Sequence, residues 1–173
     1  MNTDVRHSPF WFFGLFALLS LLLLPMWNEL DGWYLTTLTA VVNNTSVWVG
    51  LPSQFHLGTV SGEEAIAPGI VAGTALFIAT PNRSALWKAV WIVALLLTFS
   101  LLQYLLMTLQ IHIAYADFFT QLPFSQQSHY PPATLSPRPD SLYATIVESG
   151  TYWTNSLLFL LLWIVATRQQ KSS

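Results

Sequence analysis

Apolar and polar residues fall along this chain in long blocks, not at a short period. Four stretches, 10–27, 65–80, 85–109 and 145–167, are predominantly apolar, the last of them chiefly from Leu157 to Ala166, and the intervals between them carry nearly all the charge. A helix crosses the hydrocarbon core of a bilayer on roughly 20 such residues. The pattern therefore predicts an all-α integral membrane protein, 1–173 as a single domain, with four transmembrane helices. Phe10 to Trp27 contains Ser20 as its one polar side chain. Arg6 before it would suit the basic leader of a signal peptide, but Leu23–Asn28 offers no small-x-small cleavage site, so an uncleaved anchor is expected. In the second stretch Gly69 and Gly73 form a small-xxx-small pair that lets another helix approach closely. Pro68 fits the first turn of that helix. The third stretch is Leu-rich, and its Gln103 is placed to hydrogen-bond a neighbouring helix.

The two middle stretches flank a short basic turn, Thr80–Lys88, which reads as the tip of a transmembrane hairpin. The remaining intervals, 28–64 and 110–144, form two long loops. In the first, Leu30, Trp33, Tyr34, Leu38, Val41 and Val42 recur at spacings of three and four, one face of a short interfacial helix with Asp31 as its N-cap. Val47–Gly50 and Phe55–Val60, around Leu51–Gln54, suggest a small β-hairpin. The second loop holds Pro123, Pro131, Pro132, Pro137 and Pro139 with the polar run Ser125–His129, which predicts irregular chain. Arg6, Arg83, Lys88, Arg168 and Lys171 fall on one side of this arrangement. Arg138 is the only Lys or Arg of the two loops. Lys and Arg next to spans mark the cytoplasmic face, so both termini are expected inside and both loops outside.

Composition narrows the function. The chain is 53% hydrophobic and 8% charged, against about a quarter charged for soluble domains. A net charge of -2 gives no electrostatic footing for nucleic acid. Cysteine is absent, which removes disulfides, thiolate metal sites and a Cys nucleophile together. No cofactor motif is present. The candidate reactive groups are few. His112 and Asp117, just beyond the third span, could pair as a base and its orienter. Residues five apart do not face each other on a helix, however, and interfacial solvation is the competing reading. Glu148 stands near the outer edge of the fourth span, where an intramembrane carboxylate is a functional candidate and an interfacial one is not. His56 with Glu63 and Glu64 lacks metal-ligand spacing and reads as a surface cluster, so no metal is expected. The eight Trp fall mostly near span ends, as in an aromatic belt.

Glu64-Ala65-Ile66-Ala67-Pro68-Gly69 entering one span and Arg83-Ser84-Ala85-Leu86-Trp87-Lys88 opening the next resemble the core of the exosortase and archaeosortase membrane proteins. These are transpeptidase-like enzymes that process C-terminal sorting signals. The resemblance covers about a quarter of the chain. In that family the first place holds a catalytic Cys and the later span an essential Arg. This chain has no Cys, and its third span carries Gln103, with Gln110 beyond it, but no Arg. The resemblance thus implies a non-catalytic relative, an accessory or scaffold of a sorting or envelope-assembly system in a bacterial inner membrane. Its expected partners are membrane lipids and an exosortase-like membrane enzyme, or a second copy of itself. Two other readings stand beside it: a membrane enzyme using Glu148, His112 and Asp117 at the outer face, and a small transporter subunit.

Overall fold

The computed structural model describes residues 9–49, 51, 67–130 and 142–168. Every regular element among them is helical: α1 (Pro9–Ser46), a 3-10 turn (Val47–Val49), α2 (Ala67–Ala79), α3 (Ala85–Gln121), α4 (Phe124–Gln127) and α5 (Leu142–Arg168). Among the described residues α3 alone is both long and apolar enough to cross a membrane. Shorter apolar helical stretches are Phe10–Met26, Gly69–Ala79 and Leu157–Arg168. At 1.5 Å per residue α2 is about 20 Å long, short of the roughly 30 Å hydrocarbon core.

The predicted boundaries change in three places. No separate interfacial helix starts at Asp31, because α1 runs unbroken through 28–46 with Pro25 inside it. The proline ring removes one backbone bond from the ladder, but the 38-residue helix continues beyond it. The polar residues that follow do not end the helix. The first half of the predicted β-hairpin is also replaced, since Val47–Val49 make a 3-10 turn closed by Leu51 N–H donating to Ser46 O at 3.2 Å. Its second half, 55–60, lies outside the described residues. The predicted outer loop 110–144 begins as helix, with α3 continuing past Leu109 to Gln121 before α4. Residues Gln110 to Gln121 include His112, Tyr115, Phe118 and Phe119, types that a helix accommodates as readily as a loop.

The chain packs as two compact units. The first comprises 1–32, 63–100 and 153–173. Its most enclosed element is α2, with Ile70, Val71, Ala75, Leu76, Phe77 and Ala79 buried. Leu95 and Phe99 of α3 are buried with them. Phe77 stacks on Trp91 with ring centroids 6.1 Å apart and meets Trp87 edge-on at 5.9 Å. Phe12 stacks on Trp163 at 6.2 Å. Such aromatic pairs add about 0.5–1.5 kcal/mol each beyond the area they bury. Gly73 is where the backbone of α2 comes closest to its neighbours. A Cβ built there would stand 2.6 Å from Leu95 Cδ2 and 2.9 Å from Phe159 Cβ.

The second unit comprises 33–62 and 101–152. Its core is Leu38, Val42, Leu51, Met107, Ile111 and Tyr115, with Tyr34, Tyr104, Phe118 and Phe119 packed around it. Tyr34, Leu38 and Val42 recur every four residues on α1, while Met107, Ile111 and Tyr115 do the same on α3, so each helix contributes one face. Leu30, Trp33 and Val41 of the predicted face are exposed instead. Thr45 Oγ1 and Tyr104 OH share a hydrogen bond of 2.8 Å beside this core.

On α3 the exposed large apolar side chains form a continuous stripe: Leu86, Val90, Val93, Leu97, Leu101 and Leu105. Only 22% of the helix's most apolar window is buried, whereas the core helix of a soluble protein is mostly buried.

Candidate functional site

The turn between α2 and α3 concentrates the polar chemistry of the first unit. Its shape follows from three residues. Asn82 takes the left-handed conformation at φ 56°, which Asn tolerates better than most side chains. Ser84 caps α3, its Oγ accepting from Trp87 N–H at 3.2 Å. Thr80, buried at the end of α2, donates its hydroxyl to Leu76 O at 2.7 Å and accepts from Trp163 Nε1 at 2.9 Å. That second bond ties the turn to α5.

Lys88 lies one turn into α3 and is half-buried. Its Nζ donates to Ile78 O at 2.5 Å. This satisfies a carbonyl in the last turn of α2 and sets a cation at that helix's negative end. An ammonium has three donors, so this bond leaves capacity for a second acceptor. Arg83, also in the turn, places its guanidinium 4.9 Å from the Trp87 ring centroid.

Two cavities open along α1, α2 and α3 in this unit. The larger, about 420 Å³, sits at the turn between Trp11, Phe12 and Leu15 of α1 and Thr80, Asn82 and Lys88 opposite. Among the described residues Lys88 is the one charged side chain lining it. The smaller, about 160 Å³, is almost wholly apolar and is lined by Leu23 and Met26 of α1, Ile70 and Thr74 of α2, and Ile92 and Leu96 of α3. The linings repeat at helical spacing. Positions 12, 15, 23 and 26 share a face of α1, positions 70, 74 and 78 a face of α2, and 88, 92 and 96 a face of α3. The two cavities therefore lie along the same helix faces, one polar and cationic at the turn and the other apolar farther along.

His112 is half-buried and Asp117 exposed, both on α3. At 100° per residue their side chains leave the helix about 140° apart. Asp117 Oδ2 accepts from Gln121 Nε2 at 2.9 Å, a pairing within its own helix. The backbone of Glu148 belongs to α5, and its side chain lies outside the described atoms, as do His56, Glu63 and Glu64. Gln103 is buried on α3, and Gly69 is buried on α2. Among the described residues no group of three or more His, Cys, Asp or Glu side chains could hold a metal. The cavity around Lys88 was not marked as a site by sequence reading. The available signal was an ammonium placed four residues into an apolar helix, where a purely topological charge could equally have stood in the turn.

Comparison with protein-family models, with curated proteins and with solved structures finds no match to this chain.

Proposed function

We infer that this chain is an integral membrane protein whose four apolar stretches all cross the bilayer, the short α2 by local thinning of the layer around it, with both termini cytoplasmic. On this reading it serves as a non-catalytic accessory or scaffold in an exosortase-like sorting or envelope-assembly system of a bacterial inner membrane. The observation that carries the membrane assignment is the exposed stripe on α3. Leu86 to Leu105 extends about 29 Å along the helix axis, close to the roughly 30 Å hydrocarbon thickness. A stripe of that length facing water would be an aggregation liability, while facing lipid or another helix it is ordinary. The scaffold role rests on the resemblance described above and on the missing family Cys and Arg. Mechanistically, the protein would offer exposed helix faces to a membrane partner and hold its own helices together around Gly73.

Two experiments test this. The absence of native Cys makes single-cysteine labelling clean. Pro81→Cys, in the hairpin turn, should be protected from a membrane-impermeant maleimide in intact cells, and Ser125→Cys, on α4, should be labelled. The reverse pattern overturns the topology. Co-purification from native membranes in mild detergent should then recover one larger membrane enzyme in stoichiometric amount. Recovery of this chain alone would remove the accessory role.

A further inference from the structure

We propose that the two cavities along α1, α2 and α3 together hold one anionic phospholipid, its phosphate against Lys88 and an acyl chain over Leu23, Met26 and Leu96. The inference rests on the membrane reading of the preceding subsection. Three observations carry it. First, among the described residues the larger cavity is lined by a cation and no anion, and the Lys88 ammonium spends one of its three donors on Ile78 O. Phosphate is the acceptor-rich group that suits the remainder. Second, the apolar cavity continues the same helix faces, so a ligand reaching both ends must itself be polar at one end and apolar at the other. A free phosphate would leave the apolar end empty, and a plain hydrocarbon would leave the ammonium without a counter-charge. Third, the charged end lies at the turn, where Arg83 adds positive charge and Trp11 and Trp87 provide rings of the kind found at headgroup depth. Basic pockets between helices on the cytoplasmic side are suited to anionic headgroups.

The test uses the full chain in neutral detergent, titrated with phosphatidylglycerol or phosphatidylcholine bearing the same tails, with bound lipid counted by native mass spectrometry. One phosphatidylglycerol should be retained with roughly tenfold or greater preference, the scale of a hydrogen bond to a charged partner. Lys88→Gln keeps an amide donor for Ile78 O but removes the charge, and should erase most of that preference. Leu15→Trp narrows the cavity wall and leaves Lys88 in place, so it should weaken retention of both lipids. Equal retention of the two lipids by the native protein overturns the proposal. So does an unchanged preference in a folded Lys88→Gln variant. Displacement of phosphatidylglycerol by excess inorganic phosphate would assign the site to a free anion and also overturn it. Carbonate-resistant recovery of the chain in membranes is measured separately. Its failure sinks the membrane reading, whereas a membrane-embedded chain with no lipid preference sinks only this inference.

Discussion

Replacing Gly73 with Ala adds one methyl group at the tightest helix approach described. The new Cβ would meet Phe159 Cβ at 2.9 Å and Leu95 Cδ2 at 2.6 Å, where ordinary contact begins near 3.4 Å. Leu95 can answer with a side-chain rotation because the clash is with its far end. Phe159 cannot, since its Cβ is fixed to the backbone of α5, and that helix must retreat by about half an ångström. Overpacking of this kind costs about 1–3 kcal/mol. Against it, Ala is favoured over Gly in a helix by about 0.8–1 kcal/mol. The net expectation for Gly73→Ala is a loss of roughly 1 kcal/mol, and for Gly73→Leu, with three more carbons to place, about 3 kcal/mol.

Gly14 supplies the control. It lies on α1 with nothing within 4 Å of a built Cβ, so Gly14→Ala makes the same chemical change without the clash. It should gain up to about 1 kcal/mol from helix propensity alone. Equilibrium unfolding by denaturing detergent, followed by circular dichroism, would place the two variants about 2 kcal/mol apart on opposite sides of the native protein. If Gly73→Ala proves as stable as Gly14→Ala, α2 does not pack against Phe159 as described, and the account of the first unit fails with it.

Three further outcomes are expected. Thr80→Val keeps the shape of the side chain but leaves the Trp163 indole N–H without its acceptor, which should cost about 1–3 kcal/mol. Adding Trp163→Phe removes the orphaned donor, so the double variant should be more stable than the two single losses sum to, and strict additivity would show that the bond is not formed. Ile111→Ala empties a fully buried position in the second unit and should cost about 2–5 kcal/mol, read as faster amide exchange in α3 near that residue. Leu97→Arg, in the exposed stripe, should impair membrane insertion by about 2.5–3.5 kcal/mol in a glycosylation-mapping assay. An unaffected Leu97→Arg variant would mean that this face of α3 does not meet lipid.

Much of the helical content was legible because long apolar blocks can hardly be anything else. The helix ends were not, and α1 and α3 show why. Hydropathy reports which solvent a residue prefers, and backbone hydrogen bonding continues across a change of solvent. The break read at Asn28 and the one read at Gln110 are places where polar residues begin, yet both helices continue, to Ser46 and to Gln121. The faces within the apolar blocks were hidden for a related reason. In a soluble helix the buried face is written as apolar against polar, but Phe12, Leu15, Leu23 and Met26 stand in a stretch where the neighbouring positions are apolar too. Close packing could be suspected only where a small residue interrupted the pattern, as at Gly73.

Lys88 shows the same limit from the polar side. Read along the chain, it is one of the cations that mark a cytoplasmic end. In the folded unit it closes the C-terminal carbonyl of the preceding helix at Ile78 and lines a cavity whose far wall comes from residues more than seventy positions earlier. The bond from Trp163 to Thr80 spans a similar distance in sequence. Neither relation leaves a local spacing to recognise. A charge that only set topology could have stood anywhere in the turn at no electrostatic cost. Lys88 is instead held one helical turn inside, half-buried, where its desolvation must be offset by acceptors. One such acceptor is the Ile78 carbonyl, and the Lys88→Gln lipid titration asks whether an anionic headgroup is the other.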